Sequence, residues 1–362
     1  MTGFTPHIEK LFIPPGATVR QAAACINENR KALAAMVVDE HRKLVDIITD
    51  GDIRRAVLDG LSLDTPVSVL KSRKAPSPFP VPIVAPASMN KLELLAFMRS
   101  RNAQQLPLVD AEGRVVDLVK LSDLLQTDVT TIQAVVMAGG LGTRLRPLTT
   151  DLPKPMLPVG DRPLLELTIE QLKAAGIQRV NVTTHFQPEK IKDHFGNGRE
   201  FGVDITYLNE DTPLGTAGAL AMIEETADPL LVINGDVLTQ IDYRAMMGFH
   251  TEHQADLTVA VRQYAIQVPY GVLECDGPNV KTVREKPTYN YFVSAGIYLL
   301  QPSACKLIPR GCHFDMPDLI NKLIELKRTV VSFPIVEYWL DIGRHVDYAQ
   351  AQKDVESGQY KQ

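Results

Sequence analysis

The sequence predicts an α/β protein in which a doubly wound, mostly parallel sheet follows a smaller α+β module. Strand and helix patterns alternate after Ile132, which is typical of a parallel sheet with helices on both faces. The first third of the chain instead holds two copies of one shorter pattern. An apolar run from Ala134 to Ala138 leads directly into a glycine-rich loop, and ligands of doubly wound sheets bind at such strand ends.

Length and composition are those of an ordinary globular protein. The chain has 362 residues, of which 45% are hydrophobic and 22% charged, and this length favours two domains or three. A net charge of −5 argues against general nucleic-acid binding. The four cysteines form no CxxC pair, so we expect reduced thiols and neither a disulfide framework nor a zinc site. Because there is no signal-peptide pattern and no 18-residue apolar run, we expect a cytoplasmic protein without a membrane partner.

The internal repeat aligns residues 13–53 with residues 84–124 without a gap, at an offset of 71 residues. Each copy predicts a helix, two strands around a polar turn, and a second helix. The predicted first helices are 19–29 and 91–101, and the predicted strands are 35–38, 44–48, 106–109 and 115–119. A duplication of this size usually packs with pseudo-two-fold symmetry. We place the module at residues 1–126, with repeats at about 8–62 and 79–126 and a linker at 127–131.

The second half of the first copy, MVVDEHRKLVDIITDGDIRRAV, resembles a CBS (cystathionine β-synthase) motif. Two such motifs form a Bateman module, whose cleft often binds an adenosine or guanosine nucleotide. The resemblance implies a regulatory nucleotide site at Thr49, Asp52 and Asp123, although Lys120 replaces the threonine in the second copy. The alternative is a structural or dimerising module without a ligand, in which Asp52 only caps a helix.

The segment VVMAGGLGTRLRPLTTDLPKPMLP, residues 135–158, is the most informative part of the chain. Three glycines within residues 139–142 let the backbone approach a ligand closely and expose its N–H groups to phosphate oxygens. Arg144 and Lys154 bring the positive charge that a polyphosphate requires. The glycine spacing fits neither a Walker A loop nor a GxGxxG fingerprint. The alternative is a tight turn with solvated basic residues.

Residues 139–159, here called the signature segment, resemble the pattern GGxGTRLxPLTxxxPKPMxPV of the sugar-1-phosphate nucleotidylyltransferases. Further blocks of that family follow in order: EDTPLGTAGAL, INGDV, PYGVLE, REKP, VSAGIY and WLDIG. The resemblance therefore covers about residues 132–351 and implies a Rossmann-like nucleotidyltransferase domain over 132–362. PLGTAGAL with a short C-terminus is most similar to the mannose-1-phosphate guanylyltransferases.

The resemblance also assigns roles to individual residues. It implies that Arg144, Lys154 and Lys286 are catalytic, and that Asp236 and Asp341 hold Mg²⁺. The nucleotide-binding residues it implies are Ala138, Gly139, Gly140, Gly142, Thr143, Glu210 and Gly215. The sugar-binding residues it implies are Gly271, Glu285 and Gly296. Asp236 and Asp341 stand 105 positions apart, so only the fold can bring them to one cation.

The chemistry of Glu210 favours GTP as the nucleotide. A carboxylate offers only hydrogen-bond acceptors, which suit the two adjacent donors of guanine. Uracil and thymine suit an amide better. UTP, CTP and dTTP remain alternatives, as does a solvated Glu210 with no part in binding.

The implied reaction transfers a nucleotidyl group from a nucleoside triphosphate to a sugar 1-phosphate and releases pyrophosphate. It would serve synthesis of nucleotide sugars for surface glycans, with mannose, glucosamine or heptose 1-phosphate as acceptor, and we expect a homo-oligomer. One rival is a nucleotide-sensing CBS protein with a degenerate transferase domain, but the implied reactive residues are all present. A glycosyltransferase of similar α/β fold is a second rival. It would be expected to show a DxD metal-binding motif, but none follows the INGD strand.

Overall fold

The computed structural model describes residues 8–29, 34–73, 82–101, 103–121, 124, 132–223 and 227–360. The chain divides into two units, Met1–Thr130 and Thr131–Gln362. The linker predicted at 127–131 lies outside the described residues. Among the helices that the structure describes, none has both the length and the apolar character needed to cross a bilayer.

The N-terminal unit contains two three-stranded sheets of identical topology. Its strands are β1 (Phe12–Ile13), β2 (Ala34–Val38), β3 (Leu44–Thr49), β4 (Ala85–Pro86), β5 (Gln105–Val109) and β6 (Val115–Lys120). Its helices are α1 (Val19–Glu28), α2 (Asp50–Leu58), α3 (Ser68–Arg73) and α4 (Lys91–Ser100). In each sheet the first strand runs parallel to the second, which pairs antiparallel with the third. The first helix of each copy and the four long strands predicted from the repeat are confirmed, with ends that differ by one residue, and α2 is the second helix of the first copy. The second helix predicted for the other copy lies largely outside the described residues.

The two copies share their irregularities as well as their elements. The strand register shifts directly after Val37 in β2 and directly after Leu108 in β5, at equivalent positions of the repeat. Asp46 and Asp117, also equivalent, are both buried, and each carboxylate accepts a hydrogen bond from the next backbone N–H. One apolar cluster joins side chains from both copies: Leu11, Ala34, Met36, Val115 and Leu118.

The C-terminal unit has thirteen described strands and seven described α-helices. The strands are β7 (Gln133–Met137), β8 (Pro158–Val159), β9 (Arg162–Pro163), β10 (Arg179–Thr184), β11 (Asp204–Asn209), β12 (Leu230–Asn234), β13 (Val237–Thr239), β14 (Leu257–Gln267), β15 (Val272–Asp276), β16 (Asn279–Arg284), β17 (Thr288–Leu300), β18 (Val330–Pro334) and β19 (Trp339–Asp341). The helices are α5 (Leu164–Ala174), α6 (Pro188–Phe195), α7 (Gly215–Gly218), α8 (Tyr243–Glu252), α9 (Pro302–Cys305), α10 (Met316–Glu325) and α11 (His345–Glu356). Short 3-10 helices occupy Thr143–Leu145 and Lys154–Met156.

The central sheet has seven strands in the order β11-β10-β7-β12-β17-β14-β18. The first four strands are mutually parallel, β17 runs antiparallel to both of its neighbours, and β18 is parallel to β14. This confirms the predicted mostly parallel α/β sheet. Because β7, β10, β11 and β12 are parallel, the loops after their carboxyl ends meet at one edge of the sheet.

Two successive residues of β14 show that helices cover both faces of this sheet. Leu257 packs in an apolar cluster that includes Leu319 and Leu323 of α10. Thr258, the next residue, instead hydrogen-bonds to His250 of α8 through its hydroxyl. Successive side chains of a strand point to opposite faces, so α10 and α8 lie on opposite sides of the sheet.

A two-stranded ribbon extends from the sheet beyond the end of β18. β18 ends at Pro334, opposite Val261, whereas the pairing of β14 with β17 continues to Gln267 and Thr288. The β15–β16 hairpin connects these two strands. The sugar-binding residues predicted in the PYGVLE and REKP blocks lie on this extension.

Candidate functional site

The predicted aspartates 236 and 341 are brought together by a pair of short strands. β13 pairs antiparallel with β19, which places Val237 opposite Asp341. The backbone N–H of Ile342 donates to the Asp236 carbonyl at 2.9 Å. Two carboxylates that are far apart in the sequence therefore lie side by side, as the family resemblance implied.

The pKa of Asp341 also reflects its closeness to Asp236. Burial raises the pKa of Asp341, and the negative charges of Asp236 and Asp347 raise it further. The cations Lys154 and Arg144 act in the opposite direction on this pKa. The pair of carboxylates is therefore flanked by two of the basic residues predicted from the signature segment.

Lys154 is the most tightly held of the predicted catalytic residues. Its side chain is buried, and Nζ donates to Asp236 Oδ2 at 2.6 Å. The Lys154–Met156 turn lies behind Gly142, whose carbonyl accepts a hydrogen bond from Thr149 Oγ1 at 2.7 Å. Arg144, in contrast, is exposed at the start of the same loop.

The rest of the glycine-rich loop continues directly from β7. Ala138 is buried, and its N–H donates to Thr183 Oγ1 of β10. Gly140 has open space where a side chain would begin, and Thr143 begins the 3-10 turn that carries the exposed Arg144. The loop therefore has a fixed base and an accessible tip.

Glu210 is buried at the carboxyl end of β11, which excludes a solvated loop carboxylate. Its Oε2 accepts the backbone N–H of Leu214 at 2.9 Å. Its Oε1 faces the Gly139 Cα, where a Cβ would lie only 2.7 Å away. His185 Nδ1 lies 2.7 Å from the Glu210 carbonyl oxygen. Glu210 thus fixes the loop that follows it and lies directly against the glycine-rich loop.

The loop around Gly215 is fixed by another part of the same chain. Gly215 has a left-handed backbone (φ +82°), and a Cβ there would lie 2.7 Å from Asp315 Oδ1 and from the Phe314 carbonyl oxygen. The Thr216 N–H donates to Asp315 Oδ1, and Met316 N–H donates to Thr216 Oγ1. The close approach seen at Gly215 is therefore to the start of α10, and its predicted contact with the nucleotide stays a prediction.

The predicted sugar-side residues lie on the ribbon and on β17. Gly271 and Glu285 face each other, since a Cβ on Gly271 would lie 3.1 Å from Glu285 Oε2. Lys286 is exposed and has a left-handed backbone (φ +45°). Gly296 lies against the carboxamide of Asn234, two residues before Asp236. Gly296 therefore lies near the aspartate pair, beside the end of β12.

Two residues near the aspartate pair were missed by the sequence reasoning. Gly235 packs so closely on β7 that a Cβ would lie 2.6 Å from the Met137 carbonyl oxygen. Its position directly before Asp236 was a usable signal. Asp347 lies near Asp341 and follows it by six residues, with nothing in the sequence to mark it.

The regulatory residues predicted in the N-terminal unit form a helix cap. Thr49 Oγ1 accepts the Asp52 N–H at 3.2 Å, and Asp52 Oδ2 accepts the Thr49 N–H at 2.9 Å. Asp52 Oδ1 also accepts a hydrogen bond from Arg55. This reciprocal arrangement is a capping box at the start of α2. Asp123 lies outside the described residues, and a nucleotide at this unit stays a prediction.

Comparison with known protein families gives matches in both units. The nucleotidyl transferase family matches residues 133–358. The CBS domain family matches residues 7–59 and 78–129, which are the two copies of the repeat.

Individual relatives and solved structures each match about three fifths of the chain. Mannose-1-phosphate guanyltransferase of Pichia angusta is 34% identical over 227 residues, covering 60% of this chain and 62% of that protein. D-glycero-alpha-D-manno-heptose 1-phosphate guanylyltransferase of Aneurinibacillus thermoaerophilus is 32% identical over 230 residues, covering 62% of this chain and 99% of that protein. The structure of a UDP-glucose pyrophosphorylase complexed with UDP-glucose covers 63% of this chain and 100% of its own, with a TM-score of 0.51. At 20% identity that likeness concerns the fold alone.

Proposed function

Because the chain belongs to the nucleotidyl transferase family, we propose that it transfers a nucleotidyl group from a nucleoside triphosphate to a sugar 1-phosphate. GTP is the favoured donor, and pyrophosphate is the second product. The observation that carries the proposal is the 2.6 Å ion pair of Lys154 with Asp236, beside Asp341. This ion pair lies at the sheet edge that also holds the glycine-rich loop and Glu210.

The proposed reaction is an in-line displacement at the α-phosphorus. An oxygen of the sugar phosphate forms a bond to this phosphorus while the bond to the pyrophosphate oxygen breaks. The second pKa of a phosphate monoester is near ~6, so the nucleophile is largely a dianion at neutral pH. It needs no general base, and catalysis depends on positioning and charge neutralisation.

Three basic residues are assigned to the leaving pyrophosphate, the α-phosphate and the sugar phosphate. Arg144 binds the leaving pyrophosphate from the exposed tip of the glycine-rich loop. Lys154, held by Asp236, faces the α-phosphate, and Lys286 on the ribbon binds the sugar phosphate. Gly271, Glu285 and Gly296 contact the sugar. These cations reduce the repulsion between two phosphates that must approach each other.

Members of this family generally use a divalent metal ion, and the aspartate pair suits one. Carboxylate oxygens are hard ligands of the kind that Mg²⁺ prefers. Among the described residues, no group of three or more His, Cys, Asp and Glu is arranged to hold a metal. Asp236 and Asp341 are the residues that would hold Mg²⁺. Bound there, the ion would supply neutralisation of phosphate charge.

Glu210 supports guanine as the base that is recognised. Its carboxylate is buried beside the Gly139 backbone, and one oxygen already fixes Leu214. A carboxylate has about four lone-pair sites, so acceptor capacity remains for the N1–H and amino group of guanine. The two guanylyltransferase relatives point to the same base.

The relatives also suggest the acceptor. They act on mannose 1-phosphate and on a heptose 1-phosphate, as their names state. We infer that this protein uses an acceptor of that class, with glucosamine 1-phosphate as a further candidate. Its product would serve the cytoplasmic synthesis of nucleotide sugars for surface glycans.

The test is pyrophosphate release by the full-length protein with Mg²⁺. GTP, UTP, CTP and dTTP are each paired with mannose, glucosamine, glucose and heptose 1-phosphates, and Asp341→Asn controls for contaminating activity. Release with GTP and one sugar, lost in the variant, supports the proposal. Release only with another nucleotide keeps the reaction and refutes the role of Glu210. No release with any pair refutes the proposed function.

A further inference from the structure

Helix α11 contacts the signature segment through side chains on one of its faces. His345 Nε2 lies 2.8 Å from the Arg146 carbonyl oxygen. Tyr348 Oη donates to the Pro158 carbonyl at 2.6 Å, and Gln352 Nε2 donates to the same oxygen at 2.7 Å. His345, Tyr348 and Gln352 are three, four and seven positions apart, so they share one face of α11. This face contacts the signature segment at Arg146 and again at Pro158, near the end of the segment.

The start of this helix is also fixed to the aspartate pair. α11 begins four residues after Asp341, which belongs to β19 and pairs with β13 beside Asp236. Ile342, between strand and helix, is buried in the same apolar cluster as Leu145 of the signature segment. His345 therefore lies between the strand that carries Asp341 and the loop that carries Arg144.

The hydrogen bond of His345 has only one possible direction. A carbonyl oxygen carries no proton, so the imidazole must donate through Nε2–H. Both the neutral tautomer with a proton on Nε2 and the imidazolium can do this. The bond thus fixes the backbone at Arg146, two residues after Arg144, without requiring a change of protonation.

We propose that His345 is a positioning residue that holds Arg144 towards the phosphates of the nucleotide. Leu145 is fully buried and anchors the middle of the short turn, while His345 fixes the carbonyl that ends it. Arg144 is exposed, so neighbouring side chains do not hold it by packing, and the backbone sets the position and direction from which its side chain starts. The proposal rests on the proposed function, because it takes Arg144 as the ligand of the pyrophosphate group.

The test compares His345→Ala with His345→Gln. The glutamine amide can donate from a position close to that of Nε2, whereas alanine cannot. We expect His345→Ala to raise the KM for the nucleotide about three- to tenfold, the range for loss of one neutral hydrogen bond. The KM for the sugar 1-phosphate stays unchanged, and His345→Gln restores the nucleotide KM. Val346→Ala is the matched control, because Val346 is 71% exposed on the same turn.

A second measurement keeps the two proposals separable. Amide hydrogen exchange over residues 143–149 is expected to accelerate in His345→Ala and to remain at the wild-type rate in His345→Gln. Equal exchange and equal nucleotide KM in both variants would overturn the positioning role, as would equal rises of both KM values in His345→Ala. If the wild type releases no pyrophosphate with any pair, the proposed function fails, and with it the role of Arg144.

Discussion

Single residues of the site already have structural contacts, and these contacts limit what each can do. Lys154 is bonded to Asp236, so its ammonium can turn towards a phosphate only while the aspartate is compensated by another charge. Glu210 uses one oxygen for Leu214, which fixes the direction of the other. The side chain of Lys286 is not held in place by burial, since it is exposed on the ribbon.

Lys286→Ala should slow turnover much more than it weakens nucleotide binding. The lysine is assigned to the incoming sugar phosphate, and loss of one preorganised charge donor lowers kcat by about 100- to 1,000-fold. Steady-state kinetics and the Kd for the nucleotide measure the two effects. Lys281→Ala is the control, because Lys281 lies on the same hairpin in an exposed ion pair with Asp276. Equal losses in turnover and binding would contradict the assigned role.

Glu210→Gln should reduce the preference for GTP while the loop stays in place. The amide oxygen can still accept the Leu214 N–H, but one acceptor site for guanine becomes a donor. Hydrogen bonds to charged groups contribute about 1.5–3 kcal/mol, so kcat/KM for GTP should fall about 10- to 100-fold. Competition assays with GTP and UTP measure the change. A proportional loss for both nucleotides would point to a purely structural Glu210.

His250→Gln should reduce the dependence of stability on pH. His250 is buried, and Gln301 Nε2 lies 2.9 Å from its Nε2, which suits a neutral ring that accepts there. Burial lowers the pKa of His250 from 6.5 to about 4. The unfolded chain therefore binds a proton that the folded chain excludes, so stability present above pH 6.5 is lost as the pH falls towards 4. The loss is at most about 3 kcal/mol.

Urea unfolding at pH 8 and at pH 5 checks this expectation. The wild type should lose stability between the two values, and His250→Gln should lose less. An identical loss in both proteins would assign the acid sensitivity to other groups.

At the scale of elements, the two copies of the repeat share irregular backbone features as well as strands. The hairpin turns of the two copies meet in a bridge between Lys43 and Arg114, and both turns contain a left-handed residue. In the first copy this residue is Arg42 (φ +63°), and in the second it is Gly113 (φ +77°). The backbone conformation is thus kept while the residue type changes.

Gly113→Ala should destabilise the N-terminal unit by about 1 kcal/mol, the cost of a left-handed backbone for a residue with a Cβ. Apart from its two chain neighbours, no described residue has an atom within 4 Å of the added Cβ, so the effect is conformational rather than steric. Gly16→Ala is the matched control, because Gly16 also has open space, its φ is not left-handed, and the second copy has Ala87 there. Hydrogen exchange of β5 and β6 measures the difference. Equal effects of both substitutions would contradict the argument.

At the scale of the whole molecule, two units with their own sheets and apolar clusters should respond separately to ligands. Calorimetric unfolding should show two transitions, since domains generally unfold as units. GTP with Mg²⁺ at about 100 times its Kd adds about 2.7 kcal/mol to the unit that binds it. We expect the transition of residues 131–362 to rise by about 5–10 °C.

The same experiment examines the predicted regulatory nucleotide. AMP, ADP, GMP or GDP bound at the CBS repeats should raise the transition of the N-terminal unit and leave the other transition in place. If none of these nucleotides shifts that transition, the predicted site at Thr49 and Asp52 is refuted for them, and the structural role of the capping box remains. A single transition that moves as one would contradict independent units.

Local sequence determined the elements of both units, because their signals act over short distances. The repeat gave the first helix and the two long strands of each copy to within one residue, and the apolar run from Ala134 to Ala138 located β7. Glycine spacing and basic residues led to the prediction that the signature segment binds phosphate. These features depend on periodicity, turn chemistry and backbone freedom, which a sequence displays directly.

Only the tertiary structure decided which distant residues meet. The pairing of β13 with β19 brings Asp341 beside Asp236, and no sequence spacing contains that information. The sequence likewise gives no sign that Glu210 is buried. Nor does it show that Asp315 accepts a hydrogen bond from Thr216, or that His345 contacts Arg146. Each joins segments separated by a strand or a helix, so the packing of the sheet and its helices determines whether the side chains meet.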